Sequence, residues 1–504
     1  MRAWLGGVGA AALLLLVGAC GDSDGDEAPP PVEQRPDVNG GQPDGGDGTS
    51  DGGTPDAGPP DSGDTAGGAV LGVWTYGDAL ADRAGPVAHH EGTGDLLLAL
   101  HLGRGRAAET PSESHEHLRL MRRTARGDTV WTRTLVALSD SFPEEMRQVT
   151  SKGLAFTPDG GAWALLSWRG GNVDLGTGPL VTGDYLVRLS ATGDIQHVRK
   201  LVTGRGIALT EGLAVDADGG VVVTGQFFRT VDFGGGPVES NREEDGRRFE
   251  YTGYVVRYAA DGSFRWVRTF GGLHGFSGGH DVAVDASTGE VLVGGMMRGE
   301  AAFAGVPIPG DVEPNESRGV LARLSADGSL RWVKTVGEEV RHVAFSPRGT
   351  AVAAGRGETV RWSGQEATGN PQRFLVTAEV DGTERVLRTF AAEAVTGLGV
   401  DAAGGARLLV QGLSNTDLGG GPEEGTPPSP TYLVRMSLDG SRVWTRELHQ
   451  WLELDEFGVG APHLALANDG TAWVLGTFAE PWSAGGTQLT PVGSTDVYLL
   501  QAGP

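Results

Sequence analysis

Cysteine is almost absent: Cys20 is the only one in 504 residues. No disulfide can therefore form within the chain, and an oxidising compartment would leave no mark in cysteine pairing. Cations are scarce too, with 40 Lys and Arg against 65 Asp and Glu and a net charge of −25. A nucleic-acid partner is disfavoured, because binding phosphates needs a basic face. Helical periodicity is missing, and the apolar residues 8–17 fall short of the roughly 20 that a bilayer span requires. What the chain has in quantity is glycine, 84 residues, which points to a loop-rich soluble protein.

Arg2 followed by that apolar run has the charged and apolar regions of an export signal. It ends in Leu16-Val17-Gly18-Ala19-Cys20, which resembles the lipobox of bacterial lipoproteins, where small residues precede a cysteine that is acylated and becomes the mature N-terminus. The resemblance implies a signal peptide over 1–20 and a lipid on Cys20. Three acyl chains would then anchor the protein firmly, since two already suffice. An ordinary secretory signal is the alternative. Residues 21–68 are almost all Gly, Asp, Pro, Ser and Thr, with Arg35 the only cation, and have too little apolar surface to offset the entropy of ordering. A disordered acidic linker is expected there. Residues 22–26 begin like a calcium loop, but Glu27 stands where that loop needs Gly, so no calcium site is expected there, and no motif in the chain calls for a cofactor.

Residues 212–270 hold the pattern that the rest of the chain varies: short strands at 213–216, 221–227, 254–258 and 264–270. Val221, Val222 and Val223 are β-branched, and Phe227, Tyr254, Tyr258, Trp266 and Phe270 are aromatic, types that suit a pleated, buried surface. Asp218-Gly219 and Asp261-Gly262 sit where tight hairpins need positive φ. The only long connection, 229–252, reads as the variable loop. Further units occupy 87–135, 154–201, 282–336, 343–390 and 398–448, and a seventh begins at Leu464, a spacing of about 63 residues. Four-stranded units at regular spacing predict an all-β, seven-bladed β-propeller over 69–504.

The stretches GLAVDADGG (212–220), TVDFGGGP (230–237) and YVVRYAADGSFRW (254–266), with NVDLGTGP (172–179) and NTDLGGGP (415–422), resemble the SBBP-type β-propeller repeat of bacterial envelope lipoproteins. The resemblance covers most of 69–504 and implies a propeller in the cell envelope, with the outer membrane as the expected location. It implies no common activity.

The seventh unit lacks a fourth strand, and an open blade would expose an edge that invites aggregation. Residues 70–76 have no other partner, so they are predicted to be its outermost strand, antiparallel to 497–500, with Trp74 in or near a recurrent Trp position. Two registers compete: Trp74 aligned with Trp266, or Tyr76 aligned with Phe270, which puts Gly72 at the Trp place.

Several residues recur or break the repeat. Trp131, Trp266, Trp332 and Trp444 share a place in the fourth strand and are expected to cover the neighbouring blade's edge. Arg122, Arg188, Arg257, Arg323 and Arg435 share one in the third strand, and are expected to bond carbonyls or carboxylates between blades, with Asp174, Asp232 and Asp417 as partners. Asymmetry lies at the start of the first strands, where the units carry Pro86, Gly153, Gly212, Asp281, His342, Gly397 and His463. If first strands line a channel, Asp281, His342 and His463 surround one mouth with His280 beside them, a set able to bind a metal or an anion. Gly275-Phe276-Ser277-Gly278-Gly279 has nucleophile-elbow spacing but no helix after it. Arg126-Gly127-Asp128 reads as a hairpin and His115-Glu116-His117 as a solvated loop.

No catalytic residue is assigned. The function expected is a lipid-tethered, extracytoplasmic, monomeric propeller that binds or scaffolds protein or glycan partners. A hydrolase or lyase at the channel mouth is the rival, and buried, perturbed carboxylates there would favour it. A purely structural envelope protein is the third possibility.

Overall fold

The computed structural model describes residues 67–77, 79, 81–104, 117–136, 148–169, 173–175, 178–241, 249–272, 275–299, 301–308, 316–369, 372–413, 416–418, 430–450 and 461–504. All belong to the compact unit Pro55–Pro504. Cys20, most of the linker and His115-Glu116 lie outside them.

The chain is an all-β propeller. Each unit pairs four strands in sequence order, every neighbour antiparallel. In unit one these are Ala81–His89, Leu96–Arg104, His117–Arg123 and Thr129–Val136; in unit two Gln148–Phe156, Ala162–Arg169, Gly183–Leu189 and Ile195–Lys200. Unit three holds Ile207–Val215, Val221–Phe228, Thr252–Tyr258 and Phe264–Gly272, and unit four Gly278–Val284, Val291–Arg298, Ser317–Leu324 and Leu330–Thr335. Unit five holds Glu339–Phe345, Ala351–Arg356, Arg373–Ala378 and Glu384–Phe390, and unit six Ala394–Val400, Ala406–Gln411, Pro430–Met436 and Arg442–Gln450. Each first strand packs against the first strand of the next unit, and Ala81–His89 touches both Gln148–Phe156 and His463–Leu466, so the circuit closes. Second strands are apolar on both faces because a sheet lies on either side; Val221–Phe227 is buried throughout.

Eleven sheets form among the described residues, more than the seven expected. Seven have four or more strands, and the other four are ribbons of two or three. The excess comes from the connections read as loops. Thr230–Asp232 pairs with Pro237–Glu239, and Asp232 Oδ1 accepts the N–H groups of Gly234 and Gly236 at 2.6 and 3.0 Å. The residue after that Asp is a plug: Phe233 and Leu418 are fully buried and Leu175 nearly so. Ribbons also clasp the preceding unit. Ala301–Phe303 extends the unit-three sheet beyond Phe264–Gly272, and Thr230–Asp232 pairs with Thr203–Gly204.

The last sheet is His463–Leu466, Ala472–Phe478, Asp496–Ala502 and, outermost, Val70–Tyr76. The N-terminal strand thus closes the final blade, antiparallel as expected. Its register is the second of the two: Tyr76 faces Val497 as Phe270 faces Gly253, and Gly72 faces Gln501 in the place Trp266 takes opposite Arg257. Trp74 sits two residues along, yet its ring folds back over Gly72, where a Cβ would meet it at 2.6 Å. The junction copies a hairpin: Gly503 N–H donates to Ala69 O at 2.8 Å, as Ala259 donates to Ser263 O, and Gly68 has φ +82° where Gly262 has +78°.

The recurrent tryptophans join neighbouring units. Nε1 of Trp131, Trp266 and Trp332 donates to the carbonyls of Ala191, Ala326 and Val380, each at 3.0 Å. The rings lie against Gly193, Gly328 and Gly382, so those turn glycines serve the positive φ and the ring's close approach together.

Arg122, Arg257 and Arg323 bridge units, and all five recurrent arginines pair with carboxylates other than Asp174, Asp232 and Asp417. Each uses an acid from its own unit's first hairpin. Arg257 Nε and Nη2 reach Asp216 at 3.1 and 2.6 Å, and Nη1 donates to Gly289 O and Ala326 O of unit four, both at 3.0 Å. Arg122 treats Asp95, Gly160 and Ala191 alike, and Arg323 treats Glu290 and Gly349 alike. Arg188 holds Asp159 at 2.7 Å, and Arg435 is 3.6 Å from Asp401. Asp174 and Asp232 instead accept backbone N–H groups of their own turns. We expect Arg257→Met to cost about 3–5 kcal/mol by leaving Asp216 buried and unpaired, and Arg257→Lys at least about 1 kcal/mol, since an ammonium cannot reproduce the fork. Urea denaturation showing no loss in either would remove the bridge as a stabilising feature.

Candidate functional site

The circuit of first strands carries one irregularity repeated five times. A bulge falls between Ser151 and Gly153, Thr210 and Gly212, Gly279 and Asp281, Val340 and His342, and Val395 and Gly397. The extra residue of a bulge is unpaired and its side chain re-aimed. Those residues are Lys152, Glu211, His280, Arg341 and Thr396, and the first four carry ionisable side chains.

His280 links three units. Its Nδ1 is 2.6 Å from Glu211 Oε2 in unit three, and its Nε2 is 2.9 Å from Glu339 Oε1 in unit five. Glu339 has a side chain only 2% exposed and also holds Arg341 Nε at 2.9 Å and Arg356 Nε at 2.7 Å. Burial alone would lower the His280 pKa, but the two carboxylates outweigh it and push it up to about 9. Burial likewise opposes ionisation of Glu339, and His280 with the arginines overcomes it, holding the carboxyl well below its ordinary value. The imidazolium is a clamp between two anions.

Asp281 and His342 form a second pair. Asp281 Oδ2 accepts Val343 N–H at 2.9 Å and lies 3.8 Å from His342 Nδ1, while His342 Nε2 is 3.1 Å from Val395 O in unit six. Burial raises Asp281 to about 7 against the pull of its two backbone N–H donors, and burial lowers His342 to about 4. His463 stands apart from both: its charge neighbour is His101, a buried residue of unit one, and burial lowers the two to about 4 and about 3.

Of the four residues anticipated, the structure places His280, Asp281 and His342 in two adjoining arrangements and leaves His463 elsewhere. Among the described residues no group of three or more His, Cys, Asp or Glu could hold a metal ion. Glu211, Glu339 and Arg341 were missed. Glu211 immediately precedes Gly212 in the aligned row, as His280 precedes Asp281, and that offset was the available signal. The Ser277 segment opens the strand Gly278–Val284 and not a helix, so it is no nucleophile elbow. Gly127, at φ +104°, turns a hairpin.

No protein-family model matches the sequence, and no curated protein matches it. Solved structures do resemble it. The Dos1 propeller shares 10% identity over 84% of this chain and 94% of its own, with a TM-score of 0.44. A protein of unknown function from Dyadobacter fermentans DSM 18053 shares 12% over 87% and 99%, with a TM-score of 0.42. Raptor of Chaetomium thermophilum shares 9% over 85% of this chain and 29% of its own, with a TM-score of 0.43. Likeness at this level carries no conclusion about activity.

Proposed function

We propose that the protein is a binding or scaffolding module for protein or glycan partners, held outside the cytoplasm in the bacterial cell envelope by a lipid on Cys20. The observation that carries the non-enzymatic reading is how the polar groups of the first-strand circuit are used. His280 is bonded through Nδ1 to Glu211 and lies in ion-pair range of Glu339, Glu339 is engaged at both oxygens, and Asp281 and His342 bond backbone of the following unit. Groups engaged in joining units are not free to converge on a substrate. The SBBP-like octets and the Cys20 motif support the address and the anchor. In a pull-down from intact envelopes a defined partner should be retained by the wild type; a bare bait would argue for a purely structural role.

Cys20→Ser should move the protein from the detergent-requiring membrane fraction to the soluble fraction almost completely, because the anchor is lipid alone. Wild-type protein that is soluble without detergent would rule out the tether.

The perturbed carboxylates of Glu339 and Asp281 favour the second reading, a hydrolase or lyase. Asp281, raised to about 7 beside His342, has the pKa of a general acid or base. If it acts so, hydrolysis of some envelope glycan or ester by the wild type should vanish in Asp281→Asn. Binding without turnover by both proteins would leave the module.

A further inference from the structure

Where unit three meets unit four, one end of the interface gathers features that the ring of joined units does not require. Phe228, Tyr251 and Phe276 form a half-buried aromatic run, with Phe228 and Tyr251 centroids 5.2 Å apart and Tyr251 and Phe276 5.6 Å apart. Phe249 extends it at 5.9 Å from Phe228. Beside it Arg229 has φ +67°. The other non-glycine residues with positive φ, Ala304 and Ser363, each precede a glycine at a ribbon tip, where a two-residue turn calls for that conformation. Arg229 has no such excuse. The residue following the second strand of unit four is Gly299, at φ +62°, so unit three carries an exposed arginine where glycine would be unstrained. Strain of this kind persists where a side chain is needed. The guanidinium stacks on Phe228 at 5.5 Å and has no ion pair or hydrogen bond among the described residues.

Against the same aromatic run lie two buried polar atoms without a partner among the described residues. Ser277 is fully buried, and its N–H donates to Tyr251 O at 3.0 Å while its Oγ has none. Gln226 is 6% exposed, sits two residues before Phe228 on the same face of its strand, and its Oε1 has none. A Cβ placed on Gly278 would be 3.1 Å from that Oε1. Unsatisfied buried groups are costly and need a reason.

We propose that this end of the unit three and four interface is a subsite for an acidic sugar, a uronic-acid residue of an oligosaccharide. The apolar face of the pyranose would lie on Tyr251 and Phe276 and its carboxylate on Arg229, with the buried Gln226 Oε1 and Ser277 Oγ directly behind the rings. This rests on the reading of the protein as a binding module and names the class of its ligand. An isolated aromatic patch would suit any apolar partner; a cation stacked beside it and without a partner among the described residues selects one that combines an apolar face with a negative charge.

Titration calorimetry with tetragalacturonate as the probe, and neutral galactotetraose as its control, tests this on the whole protein. The acidic probe should bind, with at least tenfold preference over the neutral one. Arg229→Gly should abolish that preference and at the same time raise the melting temperature by about 1–2 °C as the strain is relieved. Phe276→Ala should weaken both sugars tenfold or more. Equal binding of the two probes, or an unchanged preference in Arg229→Gly, would overturn the role of the cation. No binding of either by the wild type would overturn the subsite, and the envelope pull-down would then show separately whether a binding module remains.

Discussion

Deleting residues 69–77 should lower the melting temperature by roughly 10 °C and make the protein aggregate, while deleting 21–60 should do neither. The strand Val70–Tyr76 supplies the outer edge of the final blade, pairing with Asp496–Ala502 from Val70 opposite Ala502 to Tyr76 opposite Val497. It also carries packing to both neighbours. Val73 is buried in the cluster with Leu433, Leu448 and Val474, and Trp74 and Tyr76 pack on the one containing Leu96, Leu98 and Leu499. Arg123 of unit one stacks on Trp74 at 4.2 Å. At roughly 1.5–3 kcal/mol for each large apolar side chain, three such residues contribute about 5 kcal/mol before any hydrogen bond is counted. Removal also bares the backbone of Asp496–Ala502, which then presents an open template to another molecule. A scan of light scattering against temperature checks both parts. An unchanged transition without scattering would mean that the blade is closed by something else.

Much of this architecture was legible because it repeats. Asp-Gly turns, β-branched second strands and the Trp and Arg rows each recur at one place, and a feature that recurs is reinforced by every unit. Even the closing strand could be read, since residues 70–76 had an apolar pattern and no other partner. Its register could not, because a two-residue slip keeps the same face inward, and only the length of the Trp74 side chain reconciles the two choices. The ribbons were missed for a related reason. A stretch such as TVDFGGGP shows glycine more loudly than it shows Val231 and Phe233, although those two are buried and the glycines merely turn around the Asp232 carboxylate. The first-strand bulges were invisible to a period-two reading, which assigns every residue to one face or the other. Lys152, Glu211, His280 and Arg341 are each the residue that breaks that alternation, so the polar groups of the site sit where the pattern fails.

Glu339→Ala should destabilise the fold by about 1.5–3 kcal/mol, because buried His280 loses one of its two carboxylates while Arg341 and Arg356 remain open to solvent. The pH dependence should identify the clamp. His280 has its pKa raised to about 9, so its contribution is complete below the ordinary histidine value of about 6.5 and is lost as pH rises through 9. Glu339, depressed, contributes above the ordinary glutamate value of about 4.3 and loses its contribution as pH falls further. Buried neutral histidines govern the range between: His101, His342 and His463, lowered to about 3, 4 and 4, stabilise fully above about 6.5 and lose that as pH falls through their folded values. Asp281 opposes them, since a carboxyl raised to about 7 contributes stability below its ordinary range that is lost as pH rises through 7. With three histidines against one aspartate, stability should climb from pH 4 to about 6.5 and decline from there toward pH 9. Urea midpoints across that range read the curve directly. In Glu339→Ala the alkaline decline should flatten, because His280 keeps only Glu211 and its pKa falls back, while the acid limb set by His101 and His463 should stay. Parallel curves for the two proteins between pH 7 and 9 would mean that His280 is not held by the charge of Glu339.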